Sequence, residues 1–291
     1  MNLIKEFDFT TWNPKITQAK SKQVIEALEG GFAICLPQLP FILNEDEKRF
    51  LSQRWSDQKS KNISLRPKGG LRGAQGSETD LEALRAMIQR YADQSTQLVS
   101  ALFPDYVPHL ITANTSFRPF EVDGRVSSYR KDDKRLHTDA FPSNPTQGTR
   151  LLRVFNNINP DGRPRVWRVG EPFEDMARKF LPKASKMWPG QAWLMRCLGI
   201  TKRERTPYDQ LMLQLHDLVK ADMDYQRNAP QQTVNLMPGT TWIVFSDQVL
   251  HAAMSGQYMM EQTFHLPANA LYQPETAPLS VLERMTDSVL I

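Results

Sequence analysis

Two blocks of short β-prone segments, separated by a stretch of helical pattern, constrain the fold of this chain more than any other feature. The first block runs from about residue 109 to 169 and is cut by turn dipeptides such as Asp123-Gly124 and Asp161-Gly162. The second block begins near Thr233 and ends near Leu266. Two such blocks can close one barrel or sandwich, with the intervening helices supporting it or covering its mouth.

The 291 residues are therefore predicted to form a single domain around this β core. Apolar residues make up 40% of the chain, which is enough for a sizeable core. Apolar spacing predicts N-terminal helices over Ile16–Leu28, Asn44–Gln53 and Thr79–Phe103. The expected parts are a mainly helical support over 1–104, a β core over 105–170 and 233–267, a helical insertion over 171–232, and a tail over 268–291.

The charge balance is mildly basic, with a net charge of +4 and a pI of about 9.0. This bias suits an anionic partner such as a sugar acid, a phosphate or an acidic membrane surface. We expect no nucleic-acid partner, because no nucleic-acid-binding motif accompanies the charge.

Cellular location is predicted from the two cysteines and from the absence of long apolar runs. Cys35 and Cys197 both lie in apolar stretches, so we expect two buried thiols and a reducing compartment. No stretch approaches the ~18 apolar residues of a membrane span, and the first residues, MNLIKEFDFTTW, do not resemble a signal peptide. A cytoplasmic protein is expected, with peripheral membrane contact left open.

The segment RLHTDAF contains His137 and Asp139, two residues apart. On a strand, residues i and i+2 point to the same face, so an imidazole and a carboxylate would converge on one point. These are two of the three ligands in the facial triad of non-haem iron(II) oxygenases. A lone His-x-Asp also occurs by chance, and His137 alone could be a packing or surface residue.

The segment PGTTWIVFSDQVLHAAMSG supplies the third candidate ligand. A turn, a buried-type strand over Trp242–Phe245, and a second turn would place His251 at the mouth of the core. Zinc can use the same ligands, but an open site with two histidines and one carboxylate favours iron(II) over structural zinc. The remaining histidines, His109, His216 and His265, are interpreted as packing or surface residues, with His265 facing either the cavity or solvent.

Residues 59–76, KSKNISLRPKGGLRGAQG, are basic and rich in glycine, and they are predicted to form a mobile loop. One interpretation is a solvated connector. The other is an anion-binding lid that uses Lys61, Arg66, Lys68 and Arg72, because long loops often cover active sites.

Three longer segments carry a family resemblance: LHTDAFPSNPTQGTRLLRVFNNINPDGRPRVWRVGEPFE, YDQLMLQLHDLVKADMDYQ and WIVFSDQVLHAAMSGQYMMEQTFHLP. From about residue 30 to about 270 the chain resembles the 3-deoxy-D-manno-octulosonic acid (Kdo) 3-hydroxylases, which are Fe(II)/2-oxoglutarate-dependent dioxygenases. The resemblance implies an α+β fold with a mainly β core, a double-stranded β-helix (a jelly roll, cupin-like) with N-terminal helices and a helical insertion. It also implies that His137, Asp139 and His251 bind the iron.

The resemblance further implies a reaction and a substrate. O2 and 2-oxoglutarate would be consumed, and C3 of Kdo in Kdo-lipid A, the inner core of lipopolysaccharide, would be hydroxylated to give Ko. The enzyme would then work at the cytoplasmic face of the inner membrane, as a peripheral protein. Which Kdo residue reacts, the oligomeric state and the strength of membrane association stay open.

The anchor for the distal carboxylate of 2-oxoglutarate departs from the common pattern. Many such enzymes place an arginine about 10 to 14 residues after the last histidine, but MEQTFHLP contains neither arginine nor lysine. We expect the anchor on the strand TRLLRVFNNI, where Arg150 and Arg153 should face opposite sides, and we favour Arg153. Thr263 and Gln262 are candidates for further hydrogen bonds, and the alternative is that both arginines form structural ion pairs.

An anionic substrate predicts cations at the cavity mouth. The candidates are Arg118, Arg130, Lys131, Lys134 and Arg135 before the His-x-Asp motif, and Arg66, Lys68 and Arg72 in the basic loop. Each alone is more often a solvated surface residue. Two other functions stay open from the residues: a 2-oxoglutarate oxygenase with a different substrate, and a non-enzymatic cupin-like binding protein for acidic glycans.

Overall fold

The computed structural model describes residues 2–124, 127–185, 187–188 and 190–291. Within these residues the strands are β1 (Ile4–Glu6), β2 (Ala33–Leu36), β3 (Ile63–Leu65), β4 (Leu71–Arg72), β5 (Ile111–Arg118), β6 (Arg150–Asn157), β7 (Arg165–Gly170), β8 (Gln231–Leu236), β9 (Thr241–Phe245), β10 (His251–Ser255) and β11 (Met259–Leu266). The α-helices are α1 (Gln18–Glu29), α2 (Glu78–Leu102), α3 (Phe173–Phe180), α4 (Gln191–Cys197), α5 (Pro207–Ala221), α6 (Met223–Asn228) and α7 (Pro278–Thr286).

The described strands form two sheets whose members come from both β blocks. The main sheet has the order β1-β2-β9-β6-β11-β5-β3-β4, and the minor sheet has the order β10-β7-β8. Strand β6 of the first block lies between β9 and β11 of the second, and β7 of the first lies between β8 and β10 of the second. This interleaving confirms the prediction that the two blocks close one jelly-roll core.

The two faces of the main sheet pack against different partners. On one face, Leu152 and Val154 of β6 pack with Leu28 of α1 and Leu98 of α2. The other face points toward the minor sheet, where the ring of Phe155 stacks on Trp242 at 5.1 Å and meets Trp167 edge-on at 5.2 Å. Alternation along each strand therefore separates a helix-packed face from an interior face.

The N-terminal region contributes more strand than its helical pattern predicted. Helices α1 and α2 form as expected, but the stretch after Asn44 is a 3₁₀ helix, Glu45–Phe50, with a capping box between Asn44 and Glu47. Strands β1 to β4 also join the main sheet, with β2 paired to β9. Strand β2 lies within Phe32–Leu36, a short apolar run that predicts a buried strand, whereas β1, β3 and β4 have two or three residues each and carry little periodic signal.

The basic segment 59–76 is partly ordered as a hairpin, so its prediction as a mobile loop is wrong for its centre. Strand β3 pairs with β4 and with β5, and Ile63 and Leu65 are buried. The alternation of Ile63 and Leu65 around a polar residue is the strand signal, which the surrounding charges mask.

The helical insertion packs mainly as α3, α5 and the tail helix α7 around a common apolar cluster that includes Phe180, Leu215 and Leu282. Helix α4 is different, since it has no buried residue. It ends at Cys197, which is exposed, whereas Cys35 on β2 is buried. The prediction of two buried thiols is therefore wrong for Cys197, because its apolar stretch lies on the surface rather than in the core.

Across the part of the chain that the structure describes, no helix combines the length and apolarity that a membrane span requires. The division into support, core, insertion and tail stays a prediction.

Candidate metal centre

Backbone hydrogen bonds hold the His-x-Asp segment beside the start of β10 and the turn after β9. The amide of His137 donates to the carbonyl of His251 at 3.0 Å, and the amide of His251 donates back at 2.9 Å. The amide of Asp139 donates to the carbonyl of Ser246 at 2.8 Å. The segment is thus extended, as predicted, but it makes one bridge rather than a regular strand. Pro142 and Pro145 follow, and neither has the amide hydrogen that a longer ladder would need.

The three predicted ligands converge. One donor atom from each of His137, Asp139 and His251 lies within 4.8 Å of the others. His137 Nε2 lies 3.8 Å from Asp139 Oδ1, and the two imidazole rings are 4.7 Å apart between centroids. The i, i+2 spacing and the position of His251 at the start of β10 account for this convergence.

The histidine rings are oriented by backbone carbonyls. Nδ1–H of His137 donates to the carbonyl of Arg135 at 2.7 Å, and Nδ1–H of His251 donates to the carbonyl of Val249 at 2.8 Å. This tautomer leaves the Nε2 lone pairs to face the shared point, as in metal-binding histidines. Burial lowers the pKa of both imidazoles, so both are neutral, which metal ligation requires.

Asp139 is the anionic member of the set. Burial alone would raise the pKa of its carboxyl, but the guanidinium of Arg153 and the nearby imidazoles hold it below the usual range. Asp139 Oδ2 lies 3.2 Å from Arg153 Nη1, yet it accepts no well-aligned hydrogen bond from the described residues. A buried carboxylate oxygen in that state, beside two neutral Nε2 atoms, fits a divalent cation, and the donor set suits iron(II).

The triad lines a cavity of about 870 Å³ between the two sheets. The interior strands contribute Arg153, Arg165, Trp167 and Glu261 to its wall. The indole of Trp167 stacks on His251 with 5.1 Å between centroids, which further restrains that ring.

The two candidate arginines of β6 lie on opposite faces, as predicted. Arg150 is fully buried on the helix-packed face, where its Nε donates to Asp247 Oδ2 at 2.6 Å and its Nη2 donates to Gln248 Oε1 at 2.7 Å. Arg153 lines the cavity, with Nη1 at 3.2 Å from both Asp139 Oδ2 and Glu261 Oε1. Arg153 Nε is buried and has no hydrogen-bond partner in the described structure.

Strand β11 places its candidates on both faces. Thr263 pairs with Arg153 across the strands on the interior face, and its hydroxyl donates to Glu261 Oε1 at 3.3 Å. Gln262 is fully buried on the helix-packed face and accepts from the hydroxyl of Thr115, so the structure does not bring it to the cavity. Glu261 was not predicted as a site residue, because a carboxylate is not an expected partner for the carboxylate of 2-oxoglutarate.

Glu261 forms an ion pair with Arg118, one of the predicted substrate-binding cations. Arg118 Nε donates to Glu261 Oε2 at 2.8 Å, and both side chains line the cavity. Burial alone would raise the pKa of Glu261, but Arg118 and Arg153 lower it. This carboxylate is therefore ionised and fixes both guanidinium groups.

The other predicted substrate cations divide into two groups. Arg130 lines the cavity and pairs with Asp217 at 2.8 Å, and the further residues Lys61, Lys131 and Lys134 also line it. Arg66, Lys68 and Arg72 are exposed on the β3–β4 hairpin and lie outside the cavity lining, as does Arg135. Of the four residues in the predicted lid, Lys61 lines the cavity, whereas Arg66, Lys68 and Arg72 do not.

Helix α5 contributes two cavity residues that were not selected as site residues. His216 and Lys220 are four residues apart, so they share one face of the helix. His216, expected to be a packing residue, stands edge-on to His137 with 5.4 Å between centroids. Lys220 is buried, and its Nζ donates to the carbonyl of Arg130 at 3.0 Å. His109 is exposed and His265 lies outside the lining.

Comparison with known families gives one match over nearly the whole chain. A family model described as 3-deoxy-D-manno-oct-2-ulosonic acid (Kdo) hydroxylase matches residues 11–289. No curated protein matches the chain.

Solved structures match over the same length. A crystal structure of the Kdo hydroxylase KdoO, a non-heme Fe(II) 2-oxoglutarate (α-ketoglutarate)-dependent dioxygenase, in complex with α-ketoglutarate and Fe(III), is 47% identical to this chain. The match covers 99% of this chain and 97% of the KdoO chain, with a TM-score of 0.96. The cobalt(II) complex of KdoO has the same identity and coverage with a TM-score of 0.97, and its succinate and Fe(III) complex has a TM-score of 0.96.

Proposed function

The chain belongs to the Kdo hydroxylase family, and from that premise we propose that it hydroxylates C3 of Kdo in Kdo-lipid A to give Ko. It is an Fe(II)/2-oxoglutarate-dependent dioxygenase, as the resemblance in its sequence predicted. The non-enzymatic binding protein considered from the residues is therefore set aside. C3 as the hydroxylated position and lipid A as the carrier of Kdo are the two parts that we propose.

The observation that carries the proposed site is the convergence of His137, Asp139 and His251 at the wall of the cavity. We assign these three side chains as the iron ligands, because their donors are neutral imidazole nitrogens and one ionised carboxylate. When bound, iron together with 2-oxoglutarate and O2 supplies the oxidising chemistry, with release of succinate and carbon dioxide. The protein orients the ligands through the carbonyls of Arg135 and Val249 and leaves the cavity side of the site open.

Arg153 is the proposed anchor for the distal carboxylate of 2-oxoglutarate. Its pKa is raised by Asp139 and Glu261 against the effect of burial, so it stays charged. Nη1 lies 3.2 Å from each of those carboxylates, and the guanidinium borders the cavity, where it can pair with an incoming carboxylate. We assign a supporting hydrogen bond to Thr263, which pairs with Arg153 from β11. Arg150 is excluded by its position on the other face.

The substrate carboxylate is assigned to the cationic wall on α5. Lys220 is a buried cation that lines the cavity, and it takes part in none of the ion pairs formed among the described residues. Burial lowers its pKa, which reflects the cost of a charge held out of water. A sugar carboxylate in the cavity would offset that cost, so we propose that Lys220 binds the carboxylate of Kdo, with Arg130 nearer the rim.

Kdo-lipid A is the proposed form of the substrate because lipid A adds phosphates, which suit further cations at the cavity rim such as Lys131 and Lys134. A lipid-linked substrate places the enzyme at the cytoplasmic face of the inner membrane as a peripheral protein. The competing proposal is a 2-oxoglutarate oxygenase that acts on a different substrate.

The test is turnover of Kdo-lipid A that carries two deuterium atoms at C3, with mass spectrometry of the released sugar. The proposal expects a gain of one oxygen and a loss of one deuterium, dependent on iron, O2 and 2-oxoglutarate. A gain of oxygen with both deuterium atoms retained would refute C3 as the site. No gain of oxygen on Kdo would refute the substrate.

A further inference from the structure

An exposed apolar surface surrounds helix α4. Trp193 and Leu194 lie on the helix and are 61% and 50% exposed, and Leu198 and Ile200 follow it at 65% and 52%. Trp188, before the helix, is 81% exposed. We call these five residues the insertion patch. A surface helix ordinarily buries its apolar stripe, and α4 buries none of its residues, so the patch marks an interaction site.

Cations border the insertion patch. Arg196 lies on α4, and its ion pair with Glu204 is long, at 3.9 Å, and exposed. Lys202 and Arg203 follow the patch, are exposed, and join none of the ion pairs between described residues. Large aromatic and aliphatic side chains beside unpaired cations form the composition that binds at an anionic lipid surface.

The patch is tied to the wall of the active-site cavity by hydrogen bonds. The amide of Lys202 donates to the carbonyl of Ser143 at 3.0 Å, and Arg205 Nη2 donates to the carbonyl of Pro142 at 2.6 Å. These carbonyls directly follow Ala140 and Phe141, which line the cavity. The surface is therefore connected through a few residues to the segment that carries Asp139.

We infer that the insertion patch docks on the surface of an anionic phospholipid bilayer, with its apolar side chains at the headgroup boundary and Arg196, Lys202 and Arg203 among the anionic headgroups. The inference rests on the proposed lipid-linked substrate and names the surface that would bring the cavity to it. A second copy of the chain is a poorer occupant, because a two-fold contact through the patch would bring the same cations together.

Vesicle binding tests the inference on the full chain. The wild-type protein is expected to sediment with phosphatidylcholine vesicles that contain about one third phosphatidylglycerol, and to bind pure phosphatidylcholine vesicles weakly. The variant Trp193→Ser/Leu194→Ser should lower the partition coefficient about tenfold. The variant Lys202→Gln/Arg203→Gln should lower binding to the anionic vesicles to a similar degree and reduce the preference for them, with Arg196 retained.

The matched control is Ile42→Ser, which alters a side chain that is 66% exposed outside the patch and should leave vesicle binding unchanged. A second readout uses the exposed thiol of Cys197 on α4, since Cys35 is buried. A polarity-sensitive dye on Cys197 should shift to bluer emission with anionic vesicles only. The inference would be overturned if both double variants bound vesicles as the wild type does. It would also be overturned if the substitutions converted a dimer to a monomer without changing vesicle binding, because the patch would then be a contact between copies of the chain.

A lipid-free Kdo acceptor separates this inference from the proposed function. Wild type and both double variants should turn it over at equal rates, because none of the four substituted residues lines the cavity. If none of the three proteins hydroxylates any Kdo acceptor, the proposed function fails, and the vesicle experiment still decides the role of the patch.

Discussion

Strand β6 carries one arginine on each of its two faces, and the surroundings of the two arginines differ. Arg150 and Arg153 are three residues apart, and each lies beside carboxylates. On the helix-packed face, Arg150 is enclosed by Asp247 and Gln248 and lies 3.9 Å from the ring centroid of Phe245. On the interior face, Arg153 borders a cavity of about 870 Å³.

The difference is one of access to the cavity. Each arginine has one buried nitrogen without a hydrogen-bond partner in the described structure, but Arg150 lies outside the cavity lining, and Gln248 extends its network by donating to the carbonyl of Glu29 at 3.0 Å. The interior face brings together Asp139, Glu261 and two guanidinium groups around open space. We therefore expect substitutions on the helix-packed face to lower stability, and substitutions on the interior face to lower activity.

The largest effect is expected from His137→Ala on the interior face. Loss of a proposed iron ligand should lower succinate production by about a thousandfold or more. The fold should persist, because the backbone bridge to His251 does not use the imidazole. Succinate release and circular dichroism measured on the same sample check both statements, and full succinate production would refute the site.

Arg153→Met should raise the KM for 2-oxoglutarate about 30- to 100-fold, because charge-assisted hydrogen bonds to a carboxylate are lost. The KM for the Kdo substrate should change much less. Steady-state kinetics with each substrate varied in turn measure the two constants. An unchanged KM for 2-oxoglutarate would move the anchor to another residue of the cavity wall.

Arg150→Met is the matched substitution on the helix-packed face. It should lower the free energy of unfolding by about 3 to 5 kcal/mol, because Asp247 would be left buried without its partner. The KM for 2-oxoglutarate in the folded fraction should stay at the wild-type value. Chemical denaturation and kinetics together measure this, and a raised KM with normal stability would reverse the assignments of the two faces.

The smallest of these effects is expected from Lys220→Met, which should raise the KM for the Kdo substrate about tenfold through loss of one charged contact. The KM for 2-oxoglutarate should not change. Lys68→Met is the control, because Lys68 lies on the β3–β4 hairpin outside the cavity lining. Equal kinetics for both variants would remove Lys220 from substrate binding.

The sequence predicts the convergence of His137, Asp139 and His251 because the information that brings them together is local. His137 and Asp139 share a face through their i, i+2 spacing, and His251 follows a recognisable strand and turn. The same reasoning predicts that Arg150 and Arg153 face opposite sides. It leaves open which of them borders the cavity, since that depends on which sheet face the helices cover.

Other features depend on tertiary packing and could not be read from the chain alone. His216 and Lys220 share a helix face, but only the docking of α5 makes that face a cavity wall. Arg66, Lys68 and Arg72 lie on or beside the β3–β4 hairpin and outside the cavity lining, a placement that depends on how the hairpin packs. Residues near Cys197 are apolar and were expected to be buried, yet α4 is exposed. Apolar composition alone does not distinguish a core from a binding surface.

Anaerobic titration of Fe(II), followed by 2-oxoglutarate, tests the central claim most directly. The wild-type chain should bind one iron per chain and then develop the visible charge-transfer absorption of iron chelated by 2-oxoglutarate. Arg153→Met should bind iron equally and need more 2-oxoglutarate, whereas a His137→Ala/Asp139→Ala variant should bind neither at this site. Wild-type iron binding and absorption in that double variant would contradict the assignment of His137, Asp139 and His251.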